Sequence, residues 1–111
     1  MDVENQELRE YLTADGKNPF REWLHALKDI VARARIRARL NRVRLANFGD
    51  CKTVGASLYE LRIPFGPGYR VYFGKAGRNI VILLVGGDKK TQKKDIQKAQ
   101  NYWQDYQRRT A

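Results

Sequence analysis

Histidine, cysteine and long apolar runs are almost missing from this 111-residue chain, which carries one His and one Cys. A lone Cys51 closes no disulfide within the chain, and with His25 as the single histidine no Cys/His cluster has zinc spacing. A Ser-His-Asp set would have to use that histidine, which helical geometry places about 140° from the nearest apolar stripe, on the surface. No stretch approaches the roughly 18 apolar residues of a membrane span. Residues 1–15 mix acidic, polar and apolar positions without the apolar run of a signal peptide. Gly86-Gly87 is too short for a P-loop or a dinucleotide fingerprint. These absences lead us to expect a cytoplasmic protein in a reducing compartment, with no membrane association, small-molecule ligand, metal or cofactor. Repeats, low-complexity tracts and linkers are missing too, so residues 1–111 are expected to form one domain.

Positive charge is what the chain has in excess. Its 22 Lys or Arg face 12 Asp or Glu, a formal net charge of +10, and no acid occurs from Ile30 to Gly49. With 42% apolar residues, a chain of this length can bury about two-thirds of its unfolded surface, enough for one core without disulfides or metal.

The elements are legible from period and punctuation. Val3, Leu8, Tyr11 and Leu12 among charges suit a short strand or extended lead-in over residues 3–13. Asn18 as N-cap, Pro19 at the first helical position, and Phe20, Trp23, Leu24 and Leu27 at helical spacing predict a helix over 19–28. A second helix is expected from Ile30, ending near Phe48-Gly49. Its Ala32, Ile36, Leu40 and Val43 share a core face, arginines at 33, 35, 37, 39, 42 and 44 form strips on both sides, and Ala34, Ala38 and Leu45 lie opposite as a docking stripe for another chain. Cys51 falls in an expected turn region.

Tyr59, Leu61 and Ile63, then Tyr69, Val71 and Phe73, alternate with polar residues as strands do, and the unbroken apolar run at 80–85 predicts a strand central in the sheet. Short Gly- and Pro-rich connections favour an antiparallel meander. Thr91 is expected to cap a last helix carrying Ile96, Ala99, Trp103 and Tyr106. The order β-α-α-β-β-β-α is α+β, with a small antiparallel-rich sheet, two N-terminal helices on one face and a C-terminal helix.

Alternation sets Arg62, Arg70 and Tyr72 on the face opposite Tyr59, Leu61 and Val71. The basic turn at 87–94 leads into a helix N-terminus, whose free N–H groups favour anions. Cations from separate segments with an aromatic between them match the groove and stacking partner used for RNA, and imply a shared phosphate-binding hollow. Singly, each of these cations is an ordinary solvated surface residue.

The segments LYELRIPFGPGYRVYF and IVILLVGGDKKTQKKDIQKA, together with the start at Asn18-Pro19-Phe20 and Trp23-Leu24, resemble the RelE/ParE superfamily of toxins, more narrowly the addiction-module killer proteins related to HigB. The resemblance implies a RelE-like fold and a toxin that is a metal-independent, ribosome-dependent mRNA endoribonuclease, held inactive by a cognate antitoxin, expected to be a helix-turn-helix protein. It implies catalytic roles for Arg62, Arg70, Tyr72 and Lys89: Arg62 orienting the 2'-OH, Arg70 and Lys89 stabilising charge on the phosphate, and Tyr72 stacking on a base or bonding the phosphate. Tyr69, Lys90, Gln92 and Lys93 are expected to bind RNA, and Arg35, Arg39, Arg42 and Leu45 the antitoxin. Two departures stand out. Glu60 occupies a position where some ribonuclease members carry a base, and the last helix begins without the Tyr or His that several place there. The alternatives are a ParE-like toxin that inhibits DNA gyrase without cutting RNA, and a plain basic nucleic-acid-binding module.

Overall fold

The computed structural model describes residues 4–111. Strand β1 (Glu7–Glu10) leads to helices α1 (Pro19–Ala26) and α2 (Ile30–Arg44). Four strands follow, β2 (Cys51–Gly55), β3 (Leu58–Ile63), β4 (Tyr69–Lys75) and β5 (Ile80–Asp88), and the chain ends in α3 (Gln92–Thr110). The sheet order is β1-β5-β4-β3-β2. The meander β2 to β5 is antiparallel, while β1 adds to β5 in parallel, from Glu7 beside Ile80 to Glu10 beside Leu83. Among the described residues the fold is thus α+β with a five-stranded mixed sheet and three α-helices.

Both faces of the sheet are covered, which explains the unbroken apolar run of β5. On one face Phe20 and Leu24 of α1 and Ala32, Ile36, Leu40 and Val43 of α2 pack on Leu61, Ile63, Val71, Phe73, Val81 and Leu83. On the other, Ala99 and Trp103 of α3 close over Leu58, Tyr72, Ile82 and Leu84. The ladder between β4 and β5 slips between Tyr72, opposite Val85, and Phe73, opposite Leu83, so Leu84 is a bulge. The extra residue reverses the alternation. Val85 falls on the α3 side, and the two glycines after it face opposite ways.

Both glycines are needed because helix side chains lie flat on the strand. A Cβ at Gly86 would stand 2.2 Å from the Trp23 indole of α1, and one at Gly87 1.8 Å from the Asp95 carboxylate of α3. Gly74 likewise lies under the Trp103 ring, 2.4 Å from where its Cβ would be.

Three local expectations are corrected. The segment from Cys51 is the edge strand β2 and not a turn. Only one margin of it pairs and most of its residues are exposed, so it lacks the period-2 signal. Helix α2 stops at Arg44, short of Gly49: Ala46 adopts a left-handed φ of 66°, its N–H bonding to the Val43 carbonyl and that of Asn47 to Arg42, so an alanine fills the role that glycine usually announces. Thr91 makes no side-chain cap on α3. Asp88 does the capping instead, accepting from the N–H groups of Lys90 and Thr91 at the head of a 3-10 turn spanning Lys89–Thr91.

A latch joins the two ends of the fold. The buried Tyr11 hydroxyl donates to Asp105 of α3 at 2.6 Å, and Arg109 donates to the same carboxylate. Burial first, and the hydrogen bond to Asp105 second, push the Tyr11 pKa up to about 12.

Replacing Gly86 or Gly74 by Ala is expected to cost about 1–3 kcal/mol each through overpacking against an indole, read from urea unfolding. In a double-mutant cycle, Trp23→Leu should recover part of the Gly86→Ala loss and none of the Gly74→Ala loss.

Candidate functional site

Arg62 and Arg70 face each other across the β3–β4 ladder. Like charges in that position repel. What makes the pairing stable is Glu60, two residues from Arg62 on the same strand face and fully buried. Its Oε1 accepts from Arg62 Nε at 2.9 Å, and its Oε2 from the Tyr72 hydroxyl at 3.0 Å and Gln92 Nε2 at 2.8 Å. Arg70 Nε stands 3.7 Å from the same oxygen. Burial alone would raise the Glu60 pKa, but the donated bonds from Gln92, Arg62 and Tyr72, with the Arg62 charge, outweigh it and hold the carboxyl below its ordinary value. Glu60 is therefore an ionised anchor with its lone pairs in use, not a base free to take a proton.

The four groups around it differ in exposure. Arg70 is buried, held by Glu60 and by a 2.9 Å bond from Nη1 to the Gly68 carbonyl. Gly68, at φ +81°, lies between the Arg70 guanidinium and the stem of Lys89, so these two cations are neighbours around one turn. Arg62 keeps a third of its side chain in solvent. Tyr72 is fully buried and its proton is bound to Glu60; burial, then the Glu60 charge, raises its pKa far above the tyrosine norm. It has no face on which a base could stack, so the role expected for it is withdrawn. Gln92 is committed to Glu60 and serves as a positioning residue.

Other expected residues are redistributed. Tyr69 is buried on the opposite sheet face, edge-on to Trp23 at 6.2 Å, and cannot be a surface for RNA. Its alternation with Val71 already indicated that face. Lys89, Lys90 and Lys93 are exposed. Arg35 and Arg42 of α2 and Leu45 just after it are exposed, but Arg39 is buried and does not belong to an outer docking strip. His25 is exposed, as its helical position indicated.

The single hollow expected to unite Arg70 with the basic turn is not formed. The cavity of about 530 Å³ at the end of β5 is lined by Trp23, Gly86, Gly87, Asp88, Asp95, Lys94 and Lys98, without Arg70 or Lys89. A second hollow of the same volume lies over Lys90, Lys93 and Lys94. Arg70 and Lys89 meet around Gly68, Arg62 is tied to Glu60, and Lys90 and Lys93 line their own hollow. Sequence reasoning saw Glu60 only as a departure from a pattern. The signal that could have identified it is a carboxylate sharing one strand face with Arg62, Arg70 and Tyr72.

Fold and site together define a class, a small basic α+β domain whose mixed sheet holds guanidiniums over a buried carboxylate. Residues 22–104 match the family described as phage-derived protein Gp49-like, and the chain belongs to that family, which is associated with toxin–antitoxin modules. It is similar to an uncharacterized protein of Haemophilus influenzae, 51% identical over 80 residues, covering 72% of this chain and 81% of that protein.

Glu60→Gln keeps the size of the side chain but leaves two guanidiniums without their counter-charge, and is expected to cost about 3 kcal/mol. Because the folded-state pKa of Glu60 is depressed, its contribution is present above the unfolded value near 4.5 and is lost as pH falls through the folded value. Stability measured by urea unfolding between pH 7 and pH 3 should therefore decline less steeply in the variant than in the wild type.

Proposed function

We propose that this protein is the toxin of a toxin–antitoxin module, built on a RelE-like plan of the HigB-related kind, and that it cuts mRNA on the ribosome. The observation that carries this reading is the Arg62–Arg70 pair, held side by side by buried Glu60 at the edge of a lysine-rich turn. In-line attack of a ribose 2'-OH on the adjacent phosphorus forms the 2'-O–P bond and breaks the P–O5' bond, giving a 2',3'-cyclic phosphate and a 5'-OH. The negative charge that builds on the phosphorane needs fixed donors. Arg62 offers its terminal nitrogens, which make no hydrogen bond among the described residues. Lys89 adds its charge beside Arg70, and Lys90 and Lys93 bind flanking phosphates. The mechanism requires neither metal nor cofactor.

Proton transfer falls to water. Tyr72 has already donated to Glu60, Glu60 is fully bonded, and arginine is too basic to shuttle protons at neutral pH. The chemistry thus rests on alignment and electrostatics. The same observation favours a second reading, a gyrase inhibitor of the ParE kind that cuts nothing. In either case the partner is a cognate cytoplasmic antitoxin of the helix-turn-helix type.

Primer extension on mRNA after induced expression is expected to find new 5' ends inside translated codons. Arg62→Ala, which leaves Glu60 its bonds from Tyr72 and Gln92, should reduce them roughly a hundredfold, with the fold checked by circular dichroism. Growth arrest with relaxed plasmid and no new ends would instead establish the gyrase reading, and absence of arrest would leave a binding module.

A further inference from the structure

A third cavity, about 310 Å³ in volume, opens between α2 and the β3–β4 connection, and four of the residues lining it are Arg35, Arg39, Arg42 and Arg62. The only acid among its lining residues is Asp50. Among the described residues no ion pair engages Arg35, Arg39 or Arg42.

Arg39 is the unusual member. It is 6% exposed, and although Nη2 donates to the Asp50 carbonyl at 3.2 Å, Nη1 is buried without a hydrogen-bond partner. Burial, and then the neighbouring Arg42 charge, pull its pKa below the ordinary value. A buried guanidinium with an unused donor beside like charges is a group that an anion would complete. The backbone accommodates it: Gly49, at φ +60°, leaves the space in which a Cβ would stand 2.8 Å from Arg39 Nη2. At the rim the Arg35 guanidinium stacks on Phe65, 4.7 Å from the ring centroid, a flat surface next to the charge.

We propose that this cavity is a phosphate subsite for single-stranded nucleic acid, taking one backbone phosphate between Arg35, Arg39 and Arg42 with the adjoining base against the Arg35–Phe65 stack. Phosphate fits better than a protein carboxylate. A phosphodiester presents two non-bridging oxygens to guanidiniums approaching from different sides, whereas a carboxylate satisfies one planar fork. A base that extends the Arg35–Phe65 stack is a further contact that an acidic side chain does not make. Arg62 is common to both places, lining this cavity while its Nε is bound to Glu60, and the subsite would hold a nucleotide of the same strand as the scissile one. The inference rests on RNA being the substrate, but its test does not depend on cleavage.

The test is equilibrium binding of a fluorescent single-stranded hexanucleotide with 2'-deoxy sugars, which cannot undergo 2'-OH attack, to the full chain over a range of salt. Arg35→Gln and Arg42→Gln, both exposed and so compatible with folding, are expected to weaken binding at least fivefold and to lower the salt slope, together by no more than about 0.7, the share of the single phosphate they hold in common. Arg37→Gln, the same charge change on α2 outside this cavity, should give less than a twofold effect. Equal losses from all three substitutions would overturn the proposal in favour of diffuse attraction. So would an oligo-glutamate peptide whose binding depends on Arg35 and Arg42 while that of the oligonucleotide does not. Binding that follows the proposal with no mRNA ends in vivo would retain the subsite and reject the nuclease.

Discussion

A carboxylate without solvent contact is costly unless its charge is matched and its lone pairs are used. Glu60 meets both conditions through groups from three elements: Arg62 beside it on β3, Arg70 and Tyr72 from β4, and Gln92 from the start of α3. The arrangement joins the sheet to the C-terminal helix at one point. It also allows two arginines to sit directly across a ladder, where their repulsion would otherwise oppose pairing. The candidate site depends on this buried charge, because Glu60 is the carboxylate that both Arg62 and Arg70 face.

The β5 bulge at Leu84 is a second constraint, acting through geometry. By reversing the alternation it turns Gly86 toward Trp23 and Gly87 toward Asp95, so that α1 and α3 clasp the end of the strand from opposite sides. Asp88 then caps the 3-10 turn, and Lys89 emerges next to Gly68 and Arg70. One inserted residue in a strand thus sets the start of the basic turn, Lys89, beside Arg70 of β4.

The excess positive charge is distributed unevenly in consequence. Around Glu60 the arginines are partly neutralised and held in place. Along α2 they are largely uncompensated, and Arg39 is drawn inward between Gly49 and Asp50. Rigid, matched cations suit alignment of a reacting phosphate, whereas unmatched cations around a cavity suit capture of an anion from solution.

How much could be read in advance follows from the range of the interactions. Composition determined the cationic character, and helical and strand periods determined α1, the core stripe of α2, the antiparallel meander and the strand β5 covered on both faces, because these depend on residues a few positions apart. The edge strand at Cys51 lacked an alternating pattern, and the end of α2 at an alanine lacked the usual glycine. Tyr72, Tyr69, Arg39 and Glu60 took their roles from partners distant in the sequence. Their identity as polar or aromatic residues was plain, but whether each faced solvent, a carboxylate or a ring was decided only when the helices closed over the two faces of the sheet. Burial is a property of the assembled layers, and it alone made Glu60 an anchor, Tyr72 its donor and Arg39 a guanidinium short of a partner.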